Sequence, residues 1–348
     1  MMSEQTFPKR DWISAQASYG SQALELLRMV DTLTDQLASV APTPPRRVAI
    51  IAIGASHAAA ASAVYQMRCD GIDACRLLPS ERPDGLAKFD GLALYISQSG
   101  RSAEVVALAA EQHGHDRLAI TNYHPSPLGA LCPAGLNLGN LSDSSVSFVS
   151  FTGTLLALGL LTDRWKDQSN ADAWKQLIAT TAAAVEQCDD QLQQIAQMLV
   201  ACPTVDFVAP APLMSVAEEA ALMLREGPRI YATAMETRQY LHGPMDAAGT
   251  GAHVVVGGTR EALLVRQLSE RSRNLVYITG HDADLTDLAS CHSLSLPVSL
   301  GNPVGFAIAS SFVMQKLVIH TAALRNIDIN EPAFVRLDTK TDRVGSST

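Results

Sequence analysis

Two successive tracts of the chain alternate short apolar runs with alanine-rich, helix-periodic stretches, and this alternation limits the fold more than any other feature. In the first tract VAIIAI (48–53), a helical stretch over 57–68, LALYIS (92–97), another helical stretch over 102–113, and RLAITN (117–122) follow one another. The second tract repeats that order with TVDFVAP (204–210), a helix over 214–226, HVVVGG (253–258), a helix over 260–270 and NLVYITG (274–280). Short continuous apolar runs read as strands buried on both faces, and strands separated by helices pair in parallel. One supersecondary order met twice predicts an internal duplication. The expected fold class is therefore α/β, with two tandem doubly wound parallel-sheet lobes of the flavodoxin-like kind.

The flanking segments fit around this frame. Residues 7–40 place Ala23, Leu24, Leu26, Leu27, Val30, Leu33 and Leu37 at helical spacing, and PTPPRR (42–47) ends that helix because consecutive prolines cannot continue it. The stretch 148–165 is almost wholly apolar and predicts a helix buried between the lobes. Residues 170–200 have helical periodicity and no strand signal, as a connector would. The expected divisions are an N-terminal helical segment (1–44), a first domain (45–165), a helical connector (166–200), a second domain (201–325) closed by a helix over 303–324, and an irregular C-terminal tail (326–348).

Composition narrows the function classes. A chain of 348 residues, 47% of them apolar, can fill two ordinary cores. Its formal net charge of -9 argues against a nucleic-acid partner, because such grooves need clustered Lys and Arg. Cys69, Cys75, Cys132, Cys188, Cys202 and Cys291 form no C-x-x-C pair and read as reduced, mostly buried thiols. The opening MMSEQTFPKRDWISAQ has no apolar h-region, and no run approaches the roughly 18 uninterrupted apolar residues of a membrane span. A cytoplasmic protein without a membrane partner is expected. His113-Gly114-His115 has no Cys or carboxylate cluster beside it, so no metal is expected there.

The strongest chemical signal is Ser97-Gln98-Ser99-Gly100-Arg101-Ser102, directly after an apolar strand and opening a helix. Such a junction turns free backbone N–H groups, the positive end of the helix and nearby hydroxyls toward one point, which suits a phosphate. Ile53-Gly54-Ala55-Ser56-His57 repeats the arrangement: Gly54 and Ala55 let the backbone approach a ligand, and Ser56 caps the helix or bonds the phosphate. Neighbouring parallel strands end on the same sheet edge, where ligands of α/β folds bind. His57 reads as a packing residue of the helix, with an acid/base role at the ligand, from the side opposite His242, as the alternative. In the second tract Val208-Ala209-Pro210-Ala211-Pro212 lacks the Gly and Ser pattern, so only the first lobe is expected to hold a phosphate.

These elements, with Ile120-Thr121-Asn122-Tyr123-His124-Pro125-Ser126-Pro127-Leu128, resemble the sugar isomerase (SIS) family over about residues 45–345, above all the isomerase half of glucosamine-6-phosphate synthase and related deglycases and amino-sugar phosphate isomerases. The resemblance implies that Gly54, Ala55, Ser56, Ser97, Gln98, Ser99 and Ser102 hold a sugar phosphate. Ala55 stands where the family often has threonine, which removes one hydroxyl from that set. Ala221-Leu222-Met223-Leu224-Arg225-Glu226 and Tyr240-Leu241-His242-Gly243-Pro244 resemble the family's A-L-K-L-K-E and K-H-G-P elements. By that match Glu226 shuttles a proton between C1 and C2, and His242 opens the sugar ring. The chemistry is consistent with the residues, since interconverting an aldose and a ketose needs a base at carbon and an acid/base at the ring oxygen.

The resemblance also implies a homodimer, and the apolar stretch from Phe148 to Leu161 is a surface in need of cover. The synthase carries an imine-forming lysine in its tail. Alignment on Pro332 puts Leu337 there, between Arg336 and Lys340; an arginine stays protonated and forms no imine, while Lys340 takes that place if the tail is shifted. The chain begins Met1-Met2-Ser3 and has no room for a glutaminase domain, so glutamine-dependent amination is not expected. The expected function is a phosphosugar aldose-ketose isomerase, or an isomerising deaminase or deglycase, acting on a hexose, amino-hexose or fructosamine 6-phosphate with no cofactor. The rival reading is a phosphosugar-binding sensor without catalysis.

Overall fold

The computed structural model describes residues 12–40, 43–82, 89–112, 116–132, 134–168, 170–281, 288, 291–334, 337 and 339–341. The N-terminal helix is α1 (Ala15–Leu37), begun by Ser14, whose side chain accepts from the Ala17 N–H. The first lobe follows with β1 (Arg47–Ile51), α2 (Ala55–Cys69), β2 (Asp73–Leu77), β3 (Leu92–Ser97), α3 (Ala103–Glu111), β4 (Arg117–Thr121), α4 (Pro127–Leu131) and β5 (Ala134–Asn137). After α5 (Val149–Trp165), the stretch read as a connector is two helices, α6 (Ala171–Gln187) and α7 (Asp189–Ala201), which meet at Cys188. The second lobe comprises β6 (Thr204–Ala209), α8 (Met214–Glu226), β7 (Tyr231–Glu236), α9 (Thr237–Leu241), β8 (Ala252–Val256), α10 (Thr259–Leu268), β9 (Leu275–Gly280), β10 (His292–Leu296) and α11 (Pro303–Leu324).

Each lobe has a five-stranded sheet, ordered β2-β1-β3-β4-β5 in the first and β10-β9-β8-β6-β7 in the second, with every pairing parallel. Counted along each lobe, both sheets have the same order, that of doubly wound flavodoxin-like folds. The sequence pattern located the three inner strands of each sheet and missed β2, β5, β7 and β10, the four edges.

One apolar core runs unbroken from the first sheet to the second, through α1, α2, α5, α8 and α11. Small residues let the helices approach. Along α2 the run Ala58 to Ala61 lies against α8, where Ser215 Oγ accepts from the Ser62 N–H at 2.9 Å and donates to the Ala58 carbonyl at 2.7 Å. A Cβ on Gly159 of α5 would lie 2.6 Å from the Trp174 ring of α6. Helix α5 is buried as expected, but α1, α2 and α11 of the same chain cover it. Its apolar surface therefore offers nothing to a second copy, and that physical argument for a dimer falls away. Helix α11 has the length and hydropathy of a membrane span, yet most of it is buried in this core. The cysteines, expected to be mostly buried, are not: only Cys202 is buried, Cys69 is exposed and the other four are half-buried, since they lie at element ends and edges rather than in the core.

Candidate phosphosugar site

The serine loop lies at the carboxyl end of β3. Ser97, its first residue, is buried and its Oγ lies 3.0 Å from the Ser102 Oγ. Gly100 has φ +62°, and a Cβ there would stand 2.2 Å from the Ser126 Oγ, so only glycine fits the turn. The Gln98 carbonyl accepts from the Asn122 N–H at 2.9 Å and the Gly100 carbonyl from the Leu128 N–H at 3.0 Å, which pins the loop to the segment after β4. Ser102 occupies the N-cap position of α3, but its side chain makes no capping bond. It turns to Ser97 instead, which sets it apart from an ordinary capping serine.

Beside this loop, Gly54 caps α2 with φ +60°, and nothing lies within 4 Å of the position a Cβ would take. Ala55 and Ser56 form the first turn of α2 and are half-buried. The parent strands β1 and β3 are adjacent and parallel, so both loops lie on one edge. The sequence-expected phosphate residues are thus brought together. His57 belongs elsewhere: Arg76 Nη1 lies 3.3 Å from its Nδ1 and donates to its carbonyl at 3.1 Å, while the same guanidinium pairs with Glu218 of α8, Nη2 to Oε1 at 2.5 Å. Burial and then the Arg76 charge push the His57 pKa down. It is part of the seam between the lobes.

Glu226 ends α8 before Gly227-Pro228, where the proline stops the helix; a Cβ on Gly227 would lie 2.9 Å from Val318 of α11, so the position takes glycine. The half-buried carboxylate opens on a cavity of about 820 Å³ whose walls include Val146, Ile230, Phe334, Thr339 and Lys340. The tail closes this cavity onto the serine loop. Lys340 forms an antiparallel bridge with Ser102, the Ala103 N–H donates to the Thr339 carbonyl at 3.3 Å, and the Thr341 N–H donates to the Arg101 carbonyl at 2.8 Å. Lys340 Nζ then donates to the Ser99 Oγ at 3.1 Å. Leu337, which simple alignment put at the lysine position, is 81% exposed, and Arg336 is outside the described residues, as is His113-Gly114-His115.

Glu226 and His242 are not brought together. His242 follows α9, is exposed, and does not line the cavity of Glu226. Sequence reasoning also passed over Glu219, two turns before Glu226 on α8. It is 2% exposed, and burial followed by the nearby Glu226 charge pushes its pKa well above the ordinary 4.5. Its seven-residue spacing from Glu226 was the available signal, since that spacing keeps both on one helix face.

Two parallel five-stranded lobes, a serine loop and a glycine turn at one sheet edge, and a tail that joins the serine loop to the cavity of a helix-terminal carboxylate define a two-lobed α/β protein of the sugar-isomerase fold. No protein-family model matches the chain. Glutamine–fructose-6-phosphate aminotransferase [isomerizing] of Bordetella parapertussis is 26% identical over 277 residues, 72% of this chain but 44% of that protein, so the chain spans less than half the relative's length. The C-terminal domain of glucosamine-fructose-6-phosphate aminotransferase from Francisella tularensis superposes with a TM-score of 0.78 at 18% identity, over 94% of this chain and 100% of that one. Tagatose-6-phosphate ketose/aldose isomerase from Escherichia coli does so with 0.75 at 14% identity, over 96% and 98%. The chain resembles the isomerase half of glucosamine-6-phosphate synthase in sequence and shares the fold of phosphosugar isomerases.

Proposed function

We propose that the chain is a phosphosugar isomerase, or an isomerising deaminase or deglycase, which moves a proton between C1 and C2 of a hexose, amino-hexose or fructosamine 6-phosphate. The observation that carries this reading is the tail bridge, which joins the Ser99 hydroxyl through Lys340 to the cavity of Glu226. A phosphate held by Ser56, Ser97, Ser99, Ser102 and the N-termini of α2 and α3 would direct the sugar carbons into that cavity. There the Glu226 carboxylate takes a proton from one carbon and returns it to the next through an enediol. The Lys340 amine is the group suited to an imine with the open-chain ketose. The reading calls for no metal or organic cofactor.

His242 is exposed and away from this cavity, which fits a homodimer in which each protomer lends its His242 to the partner's site for ring opening. The protein is further proposed to work in the cytoplasm. NMR of hexose, amino-hexose and fructosamine 6-phosphates in D2O, watched for exchange at C1 or C2 and for released amine, tests the reaction. Wild type should exchange at least one of them, and Glu226→Gln should bind it almost normally without exchange. Ser97→Ala with Ser99→Ala should weaken phosphosugar binding at least roughly tenfold, two hydrogen bonds to a charged group being lost. Tight binding without exchange by wild type would instead indicate a sensor.

A further inference from the structure

The second lobe holds a polar cluster, buried at His253 and Tyr240 and half-buried at Asp206 and Thr233, that none of the steps above employs. Asp206 of β6 stands in register with Thr233 of β7 on one side and His253 of β8 on the other. Side chains two residues apart share a sheet face, so these three lie on the face of Val208, Met235 and Val255, which packs against Tyr240 of α9 and Leu264 of α10. Polar residues at three adjacent inward positions cost stability unless they bond one another or a fourth group.

Tyr240 supplies that group. It is fully buried, and its hydroxyl lies 3.1 Å from His253 Nδ1. The same Nδ1 is 3.4 Å from Asp206 Oδ2, and Thr233 Oγ1 donates to Asp206 Oδ1 at 2.6 Å. Burial alone would raise the Asp206 pKa, but its bonds to His253 and Thr233 bring it below the ordinary value, and Tyr240 contributes to the same effect. His253 Nε2 is buried with no partner among the described residues. A proton on Nδ1, shared with Asp206, leaves only a lone pair at Nε2, which costs less than a buried N–H without an acceptor. The cluster thus closes around His253 Nδ1, whose N–H lies between the Asp206 carboxylate and the Tyr240 oxygen, while Thr233 donates to Asp206.

Helix α9 has five residues, too few to hold together unaided. Its start is tied by Glu236, which accepts from the N–H groups of Arg238 at 2.8 Å and Gln239 at 3.1 Å. Of its two buried residues, Thr237 has a hydroxyl without a partner among the described residues. Tyr240 is therefore the polar attachment of α9 to the sheet. His242 caps the same helix two residues later, its N–H bonded to the Gln239 carbonyl at 3.1 Å, and Gly243 with φ +128° turns the chain away.

We infer that Tyr240 is a positioning residue for His242: anchored by its hydroxyl on His253, which Asp206 holds in turn, it fixes the short helix that presents the imidazole. The inference rests on the ring-opening role proposed for His242. A side chain buried for packing alone would do its work without the hydroxyl, and Tyr240→Phe separates the two.

The experiment follows C1 proton exchange of fructose 6-phosphate and tagatose 6-phosphate beside their 5-deoxy analogues. Those analogues lack the hydroxyl that closes the furanose, and phosphorylation of O6 prevents the pyranose. His242→Ala should slow exchange of the ring-forming ketoses at least roughly tenfold, within the range of general acid/base catalysis, and leave the 5-deoxy compounds within about twofold. Tyr240→Phe should reproduce that selective loss in kcat with KM held within about twofold, at a melting temperature close to wild type. Asp206→Asn, which keeps the shape and removes the charge, should show the same selectivity, so a single poorly folding variant does not decide the matter. Full activity of Tyr240→Phe on both substrate types overturns the inference, and so do equal losses on both. If His242→Ala itself shows no selectivity, the role of His242 fails and the positioning role fails with it. Absence of exchange by wild type on these ketoses and on the amino-hexose and fructosamine 6-phosphates alike removes the isomerase reading behind both.

Discussion

Glu219 shows what a single buried side chain can contribute to the behaviour of this protein. A carboxyl whose folded pKa is raised stays protonated in the native state while the unfolded chain ionises near the ordinary 4.5. The native state then binds more protons, so this group lowers stability as pH rises from about that value toward its folded pKa. Glu219→Gln keeps the neutral shape and removes the titration. The variant should gain melting temperature over wild type at pH 8 and match it near pH 4, read by calorimetry; an equal difference at both pH values would mean that Glu219 is ionised in the fold. The serine and glycine loops were legible at this scale because strand, small-residue turn and helix follow one another in the chain. Lys340 was not. A tail without periodicity has no register, and only its bridge to Ser102 shows that Lys340 rather than Leu337 reaches the site.

At the level of elements, the inner strands announce themselves because both their faces are covered, which calls for continuous apolar runs. An edge strand has one neighbour and a partly wet flank. Thus β2 reads DACRL and β10 reads HSLSL, compositions that no strand template separates from loop. Those polar edge residues have uses. Arg76 of β2 reaches across to Glu218 of α8 and holds α2 through the His57 carbonyl, so it links the helix that carries Ser56 to the helix that carries Glu226. Both partners are about a quarter exposed, so screening keeps the pair's worth near about 1 kcal/mol. Glu218→Gln should therefore cost little stability, yet loosen the spacing between phosphate loop and base. Its KM for the phosphosugar should rise by about threefold or more while inorganic phosphate binds as before. A parallel loss of both affinities would assign the pair to folding alone.

For the whole molecule, the cover that this chain gives to α5 removes one reason for a second copy, while the separation of His242 from Glu226 supplies another. If sites are shared, a variant without the base and one impaired in ring opening complement each other. Glu226→Gln and His242→Ala, mixed under conditions that exchange protomers, should form half mixed dimers with one intact site each, about a quarter of wild-type activity on ring-forming ketoses. No recovery, with exchange verified by native mass spectrometry, would place both groups in one protomer's site or remove His242 from the reaction.

The unbroken core between the sheets also sets terms for how such a chain can be cut or recombined. Helices α2 and α8 interlock by Ser62 and Ser215, and α11 lies against α2 and α5 of the first lobe as well as α8 of its own. Severing the chain near Cys202 would leave each half with a face of Ala, Leu and Phe in water. Shuffling of genes can trade this pair of lobes as a unit, and a graft that takes one lobe alone must bring a replacement for every side chain on the seam.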